Sequence, residues 1–154
     1  TGGVHVRVGV PIRSTDTADG LRERLGVIGA RLLVDSLEGG LSAPAPQEGI
    51  ATHAHKLHRE DLALDWERPA MELERLVRVG GAWTTFRGGD LKVWSAEGVD
   101  EAVSGPPGTM SGDLVATGAR SLRLLEVQPA NRSRMEASSW LGGARPSAGE
   151  GLGG

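Results

Sequence analysis

Apolar and polar residues alternate along residues 4–12 of the chain. Val4, Val6, Val8 and Val10 fall on one side of this stretch, and the polar residues between them fall on the other. An alternation with a period of two is typical of a half-buried β-strand, because successive side chains of a strand point to opposite faces. The pattern therefore predicts a strand over residues 4–12.

The period changes from two to about 3.6 in the next segment. Leu21, Leu25, Ile28 and Leu32 are spaced by four, three and four residues, which predicts an amphipathic helix over residues 18–38. The Thr-Asp-Thr run before it can cap the first free N–H groups of such a helix. Two glycines inside the segment each cost about 1 kcal/mol relative to alanine, so we expect a bend or break there.

One strand and one helix cannot bury each other's apolar faces without further partners. Residues 1–40 are therefore interpreted as the last β–α unit of a larger sheet domain. Residues 41–50 contain Pro44 and Pro46, which disfavour a helix and extend the chain, so this segment is predicted to be a linker. We place the domain boundary near Gly49.

A second amphipathic helix is predicted shortly after the linker. Residues 61–65 are predicted to form a single helical turn with Trp66 packed beneath it, and Pro69 suits the first turn of a helix. The apolar face of that helix consists of Ala70, Leu73, Leu76 and Val77. The carboxylates around the turn, Glu60, Asp61 and Asp65, are interpreted as structural groups that accept hydrogen bonds at a helix start rather than as an acid–base pair.

Short strands separated by glycine-rich turns dominate the remainder of the chain. Residues 82–86 and 91–94 flank the Arg-Gly-Gly-Asp sequence 87–90, which indicates a hairpin. Three further strands are predicted at 108–110, 114–116 and 122–127, and a short helix at 135–141. At least five short strands at this spacing suggest a small antiparallel barrel or sandwich. Residues 146–154 are small, and we expect the end of the chain, residues 150–154, to be a flexible tail.

Charge and composition exclude some kinds of site but do not identify a function. The chain has 17 Lys and Arg residues against 20 Asp and Glu residues, a net charge of −3, and no long segment is basic overall. Nucleic-acid binding would therefore need a local basic patch made by folding. The chain contains no cysteine, which excludes disulfides and thiolate metal sites and favours a cytoplasmic setting. No apolar run approaches the roughly 20 residues that span a membrane.

Two blocks of residues carry a family resemblance. The first contains Thr52-x-Ala54-x-Lys56-Leu57, Glu60-Asp61, Leu64-Asp65-Trp66 and a Pro-Ala helix start. The second contains Gly81-Ala82-Trp83-Thr84-Thr85-Phe86, Leu91-Lys92-Val93, Ala116-Thr117-Gly118, the run from Leu124 to Ala130, and Met135-x-Ala137-x-x-Trp140-Leu141-x-Gly143-Ala144-Arg145. In order and spacing these motifs resemble the C-terminal part of methionyl-tRNA formyltransferases. The resemblance covers residues 51–149 and extends to residues 1–40.

The resemblance implies an α+β architecture in three parts. Residues 1–40 would be the terminal β–α unit of a Rossmann-like formyltransferase catalytic domain, and residues 41–50 the linker. Residues 51–149 would be an OB-like antiparallel β-barrel with short helices, followed by the tail 150–154. Thr1 and Gly2 align with the end of the family's Asp-Thr-Gly motif, so the catalytic aspartate would immediately precede Thr1.

The resemblance also implies an activity and its partners. The intact enzyme would transfer a formyl group from 10-formyltetrahydrofolate to the amino group of methionine on initiator methionyl-tRNA in translation initiation. The family's catalytic asparagine, histidine and aspartate are not in this chain, so we expect the chain alone to be inactive. We also expect it to bind no folate and no metal and to be a monomer. Alternatives are the C-terminal part of a sugar-nucleotide formyltransferase and a non-catalytic RNA-binding module.

Five basic residues are the candidates for nucleic-acid binding. Lys56 matches the family's lysine at the seam between the two domains, although it could also be an ordinary solvated lysine. Arg132 and Arg134 lie where the family has a basic run. Asn131 replaces the family's glycine before this run, and asparagine, like glycine, tolerates a left-handed turn. Arg87 and Lys92, together with Arg120 and Arg123, could extend one positive face.

Two other groups of residues are interpreted as structural or incidental. The four tryptophans and Phe86 could stack on bases, but with only 3% aromatic residues the rings are expected to fill the core instead. His53, His55 and His58 lie close together, yet without a further ligand pattern they are interpreted as surface histidines rather than a zinc site.

Overall fold

A computed structural model describes residues 2–147 and 149–154, so the alignment of Thr1 with the Asp-Thr-Gly motif lies outside the described residues. The chain divides into two compact units, Thr1–Lys56 and Leu57–Gly154. This division lies six residues beyond the predicted end of the linker. The first unit contains helix α1 (Ala18–Glu38). The second contains, in chain order, a 3-10 turn (Glu60–Leu62), α2 (Ala70–Val79), β1 (Trp83–Phe86), β2 (Gly89–Val99), β3 (Met110–Ser111), β4 (Leu114–Ala116), β5 (Ser121–Pro129), β6 (Met135–Glu136) and α3 (Ala137–Ala144).

The predicted strand over residues 4–12 is absent from the first unit. Only Val4 forms a β-bridge, antiparallel to Ala45, and the rest of the segment has no regular structure. Val8 is 50% exposed, and Ile12 is 74% exposed. The prediction of a strand is wrong because alternation supplies only a face to bury, whereas a strand also needs neighbours to hydrogen-bond to it. No such neighbour lies beside residues 5–12 within the part of the chain that the structure describes.

The predicted helix over residues 18–38 is confirmed as α1, with identical bounds. The Thr17 side chain accepts a hydrogen bond from the amide of Gly20 at 3.1 Å and caps the helix. The helix continues without a break through Gly26 and Gly29. A glycine costs only about 1 kcal/mol in a helix, too little to interrupt one of this length. No residue of α1 is buried.

The second unit is built on one antiparallel sheet. Its strands are ordered β1-β2-β5-β4-β3, and β6 pairs with β5. The predicted hairpin is confirmed, with Phe86 paired to Gly89, so that its turn consists of Arg87 and Gly88 alone. Both turn residues have positive φ values, 49° and 73°, which match the tight two-residue turn that suits the twist of a hairpin.

Helix α2 covers the inner face of this sheet. Ala70, Leu73 and Val77 are buried in one core with the inward side chains of β2 and β5, as the spacing of its apolar residues predicted. Trp66 is 5% exposed, and its indole nitrogen donates to the hydroxyl of buried Thr84 at 3.1 Å. This core fixes which side of the sheet faces solvent.

Asp61 and Asp65, two of the three carboxylates near the 3-10 turn, have the structural role that was predicted. Asp61 accepts a hydrogen bond from the amide of His58 at 2.8 Å, and Asp65 accepts one from the amide of Glu67 at 3.1 Å. Each carboxylate therefore satisfies a backbone donor at a turn.

The end of the chain is packed against the sheet, so the prediction of a flexible tail at residues 150–154 is wrong. Leu152 is 5% exposed and belongs to the core. The amide of Leu152 donates to the carbonyl of Gly108 beside β3, and the amide of Gly153 donates to the carbonyl of Thr85 in β1. Because β3 and β1 are the two edges of the sheet, the terminal segment hydrogen-bonds to both edges. Gly108 allows this close approach, because a Cβ atom there would lie 2.7 Å from the carbonyl oxygen of Leu152.

Candidate nucleic-acid interface

Arg120 and Arg123, near the start of β5, do not form a positive face. Arg123 contacts Glu97 at 2.8 Å and Glu101 at 2.7 Å, and these carboxylates raise the pKa of its guanidinium. Arg120 pairs with Asp100 at 2.8 Å. Their charges are matched by carboxylates within the same unit, so the expectation that they extend a positive face is wrong.

A different end of the same sheet presents basic and aromatic side chains together. Leu91 and Val93 of β2 point into the core. Lys92, which lies between them, and Trp94, which follows Val93, are exposed. Lys92 lies directly opposite Gln128 of β5, and residues directly opposite each other in paired strands share a face. Lys92, Trp94 and Gln128 therefore lie on the solvent side of the sheet.

Gln128 joins this face to the turn between β5 and β6. Its side-chain oxygen accepts a hydrogen bond from the Trp94 indole nitrogen at 3.0 Å, and its side-chain nitrogen donates to the carbonyl of Arg132 at 2.8 Å. Asn131 in that turn has a φ of 59°, which confirms the predicted left-handed residue. The turn leaves the Arg132 side chain exposed beside the sheet.

Arg134 completes the group that we call the Trp94 face, consisting of Lys92, Trp94, Gln128, Arg132 and Arg134. Its guanidinium carbon lies 5.1 Å from the centre of the Trp94 ring, within the range of a cation–π contact. The guanidinium also pairs with Glu126. Glu136 lies opposite Glu126 on the paired strands, so the positive charge of the face is modest.

Arg87, the fourth predicted binding residue of this unit, holds the terminal segment in place. Its guanidinium contacts both carboxylate oxygens of Glu150, at 2.5 and 2.8 Å, and donates to the carbonyl of Ala144 at 3.2 Å. The hydrogen bonds from Arg87 lower the pKa of the Glu150 carboxyl to about 2, and the carboxylate raises the pKa of Arg87. The structure therefore shows a role for Arg87 within the protein.

Lys56, the remaining predicted residue, is exposed and is the last residue of the first unit. Of the five candidates, Lys92 and Arg134 lie on one face with Trp94, and exposed Arg132 lies in the adjoining turn, joined to this face through its backbone carbonyl. The structure directs Arg87 toward the terminal segment.

The sequence analysis missed Trp94 and Gln128 as members of this face. Trp66 and Trp140 are buried, at 5% and 6% exposure, as expected for core rings, but Trp94 is 39% exposed. The expectation that every tryptophan packs in the core is wrong for Trp94. The alternation Leu91-Lys92-Val93-Trp94 was the available signal, since it places Trp94 on the same side as Lys92.

Neither a cluster of metal-binding side chains nor a membrane-spanning helix is present among the described residues. Among residues 2–147 and 149–154, no three His, Asp or Glu side chains lie close enough to hold a metal ion. None of the helices in these ranges is long and apolar enough to cross a bilayer.

Comparison with known proteins shows where the chain is related to others. The profile of the formyl transferase C-terminal domain matches residues 56–145. A methionyl-tRNA formyltransferase from Acidithiobacillus ferrooxidans is 39% identical over 157 aligned residues, which cover 94% of this chain and 50% of that protein. One from Thermobifida fusca is 39% identical over 165 residues, which cover 99% of this chain and 53% of that protein. The chain thus spans about half the length of the curated relatives it matches.

A solved structure with the same fold is HypX from Aquifex aeolicus in complex with tetrahydrofolic acid. It superposes with a TM-score of 0.70 at 20% sequence identity and covers 97% of this chain and 29% of that chain. At this identity the likeness concerns the fold.

Proposed function

The chain belongs to the formyl transferase C-terminal domain family, and from that membership we propose that it is the C-terminal part of a methionyl-tRNA formyltransferase. The intact enzyme would transfer a formyl group from 10-formyltetrahydrofolate to the amino group of initiator methionyl-tRNA. Two observations support this proposal: relatives that align along nearly the whole chain carry that name, and one structural neighbour was solved with a folate. We propose a monomer that acts in the cytoplasm during translation initiation.

Within that enzyme, this chain would grip the tRNA through electrostatic contacts. The observation that supports this role is the Trp94 face, where Lys92 and Arg134 lie on one exposed surface and exposed Arg132 lies in the turn beside it. Lysine and arginine contacts to phosphates position a protein on nucleic acid without reading its sequence. Lys56 would add a contact near the boundary between the two units. Arg87 would contribute least, because its guanidinium is already held by Glu150.

The finer architecture of both units is also part of the proposal. Residues 1–40 would belong to a Rossmann-like catalytic domain, and the rest of that domain would cover the exposed apolar side chains of α1. The second unit would be an OB-like barrel, an interpretation supported by the terminal segment that hydrogen-bonds to both sheet edges. The family's catalytic groups would lie in the other half of the enzyme, so this chain alone should form no formyl-methionyl-tRNA when given both substrates.

A salt titration of tRNA binding tests the proposal. We expect the chain to bind initiator tRNA at low salt, with affinity falling as salt rises, because each phosphate contact releases counterions. Lys92→Ala and Arg132→Ala should each reduce the slope of the logarithm of the binding constant against the logarithm of the salt concentration, by about one unit or less. Arg75→Ala is the matched control, because Arg75 is exposed on α2, on the opposite side of the sheet.

Two outcomes would count against the proposal. Absence of tRNA binding at low salt would reject the proposed role in tRNA binding. It would favour the alternative that the chain is part of a sugar-nucleotide formyltransferase. Equal salt slopes for the wild type, Lys92→Ala and Arg132→Ala would show that tRNA binds on another surface.

A further inference from the structure

Trp94 differs from the other three tryptophans in its surroundings. Trp66 and Trp140 fill the core, and Trp83 is half-buried. Trp94 is 39% exposed on the solvent side of β2, although the ring is large and apolar. Contribution to the core therefore does not account for a tryptophan at this position.

The Trp94 ring is nevertheless held in one orientation. Its indole nitrogen donates to Gln128, and Gln128 is in turn fixed by its hydrogen bond to the Arg132 carbonyl. A side chain that is already ordered loses little conformational entropy when a ligand binds to it. The ring is thus a preorganised aromatic platform on a face that carries both basic and acidic side chains.

Arg134 shows that a planar group can lie against this platform, and the contacts that hold it there are weak. Its side chain is 48% exposed, and its ion pair with Glu126 is at the surface, where such pairs contribute little free energy. Trp83 makes a closer contact of the same kind, with Arg59. Arg59 lies 3.9 Å from the centre of the Trp83 ring, and its carbonyl accepts the hydrogen bond from the Trp83 indole.

From this geometry we propose that Trp94 is a stacking site for an unpaired base of RNA. The base takes the place of the Arg134 guanidinium on the ring, and the released guanidinium pairs with a flanking phosphate. Lys92, two residues away on the same face, and Arg132 provide the complementary positive charge for the backbone. Every base has a planar π-face, so the site accepts single-stranded RNA without requiring a particular sequence. This inference rests on the proposed RNA-binding function of the same face.

Tryptophan fluorescence of the full chain tests the site with two probes, a single-stranded oligouridylate and a fully paired RNA duplex of equal length. We expect the oligouridylate to quench part of the emission, and this part should vanish in Trp94→Phe. A Trp94→Leu substitution should weaken oligouridylate binding about 5- to 100-fold and leave duplex binding within about twofold. Lys92→Ala should weaken binding of both RNAs, because it removes a phosphate contact rather than a stacking surface.

The controls separate failure of the inference from failure of the proposed function. Val79→Ala removes an exposed apolar side chain from α2 and should leave binding of both RNAs unchanged. If Trp94→Leu binds oligouridylate as tightly as the wild type while tRNA binding remains salt-dependent, the stacking site is wrong and the tRNA-gripping role stands. If the wild type binds neither tRNA nor oligouridylate at low salt, both are wrong, and the Trp94 face is left for a protein partner.

Discussion

Each unit of the chain contains a helix with apolar residues at helical spacing, but the two units bury very different amounts of apolar surface. Every buried apolar side chain of the described residues lies between Leu64 and Leu152, in the second unit. None of residues 2–56 is buried, although α1 is twice as long as α2. The comparison shows that an amphipathic pattern specifies a helix and the face it can bury, but not the surface that covers that face.

The two helices make this difference concrete. On α2, Leu73 is fully buried because the sheet lies against its apolar face. On α1, Leu25 is 46% exposed and Leu37 is 61% exposed. An isolated helix is only marginally stable in water, and tertiary packing supplies most of its stability in proteins. We therefore expect the stability of this chain to reside in the second unit.

The largest expected effect comes from truncating equivalent leucines in the two helices. Leu73→Ala should lower the free energy of unfolding by about 2–5 kcal/mol, because it leaves a cavity in the core. Leu25→Ala should change it by less than about 0.5 kcal/mol, because the side chain is already largely solvated. Urea denaturation of the two variants measures the difference. Similar losses for both would contradict the contrast between the units.

The terminal segment offers a test of the boundary of the stable unit. Leu152→Ala should lower the free energy of unfolding by about 2–4 kcal/mol, since Leu152 is 5% exposed within the core. Thermal unfolding of the full chain measures this loss. A tail that frays would give no change, and that result would restore the prediction made from the sequence.

Alanine substitutions at two glycines distinguish the cost of a strained backbone from the cost of displacing the terminal segment. Gly108 has a φ of 92°, and a Cβ atom there would lie 2.7 Å from the carbonyl oxygen of Leu152, whereas Gly112 has a φ of 61° with open space around it. Substituting either with alanine should cost about 1–2 kcal/mol for the left-handed conformation. Gly108→Ala should cost more, because it also displaces the segment. Equal losses of stability would show that residues 150–154 contribute nothing at this edge.

The smallest expected effect is a dependence on pH at the Arg87–Glu150 contact. Because the pKa of Glu150 falls from about 4.5 to about 2 on folding, its stabilisation is complete above about pH 4.5 and is lost as pH falls toward 2. The difference in melting temperature between the wild type and Glu150→Gln should therefore be constant near neutral pH and shrink below about pH 4.5. A difference that does not vary with pH would mean that the carboxylate is not held by Arg87.

The sequence predicted those elements whose local signals and tertiary partners agree. Helix α2 was predicted because Ala70, Leu73 and Val77 repeat at helical spacing, and the sheet they require lies within the same unit. The hairpin was predicted because the Arg-Gly-Gly-Asp sequence, residues 87–90, separates two runs with a period of two. The same reasoning failed for residues 4–12, whose alternation is clear but which have no neighbouring strand to pair with among the described residues.

The candidate site was predictable in its charges but not in its arrangement. Arg132 and Arg134 were predicted because the related family has a basic run at this position. The placement of Lys92 beside Gln128 and Trp94 depends on strand register, which the sequence does not specify. The pairing of Arg123 with Glu97 and of Arg87 with Glu150 joins residues 26 and 63 positions apart. Such long-range ion pairs leave no local signal. Trp94 was assigned to the core because its residue type outweighed its position in the alternation.

Amide hydrogen exchange of the full chain tests most directly whether the second unit holds the stability of this protein. We predict that the slowest amides lie in α2, β2 and β5, where exchange requires opening of the whole unit. Amides of α1 should exchange orders of magnitude faster, because no buried side chain opposes their opening. Protection of α1 equal to that of β5 would contradict the account and show that the first unit has a stable core of its own.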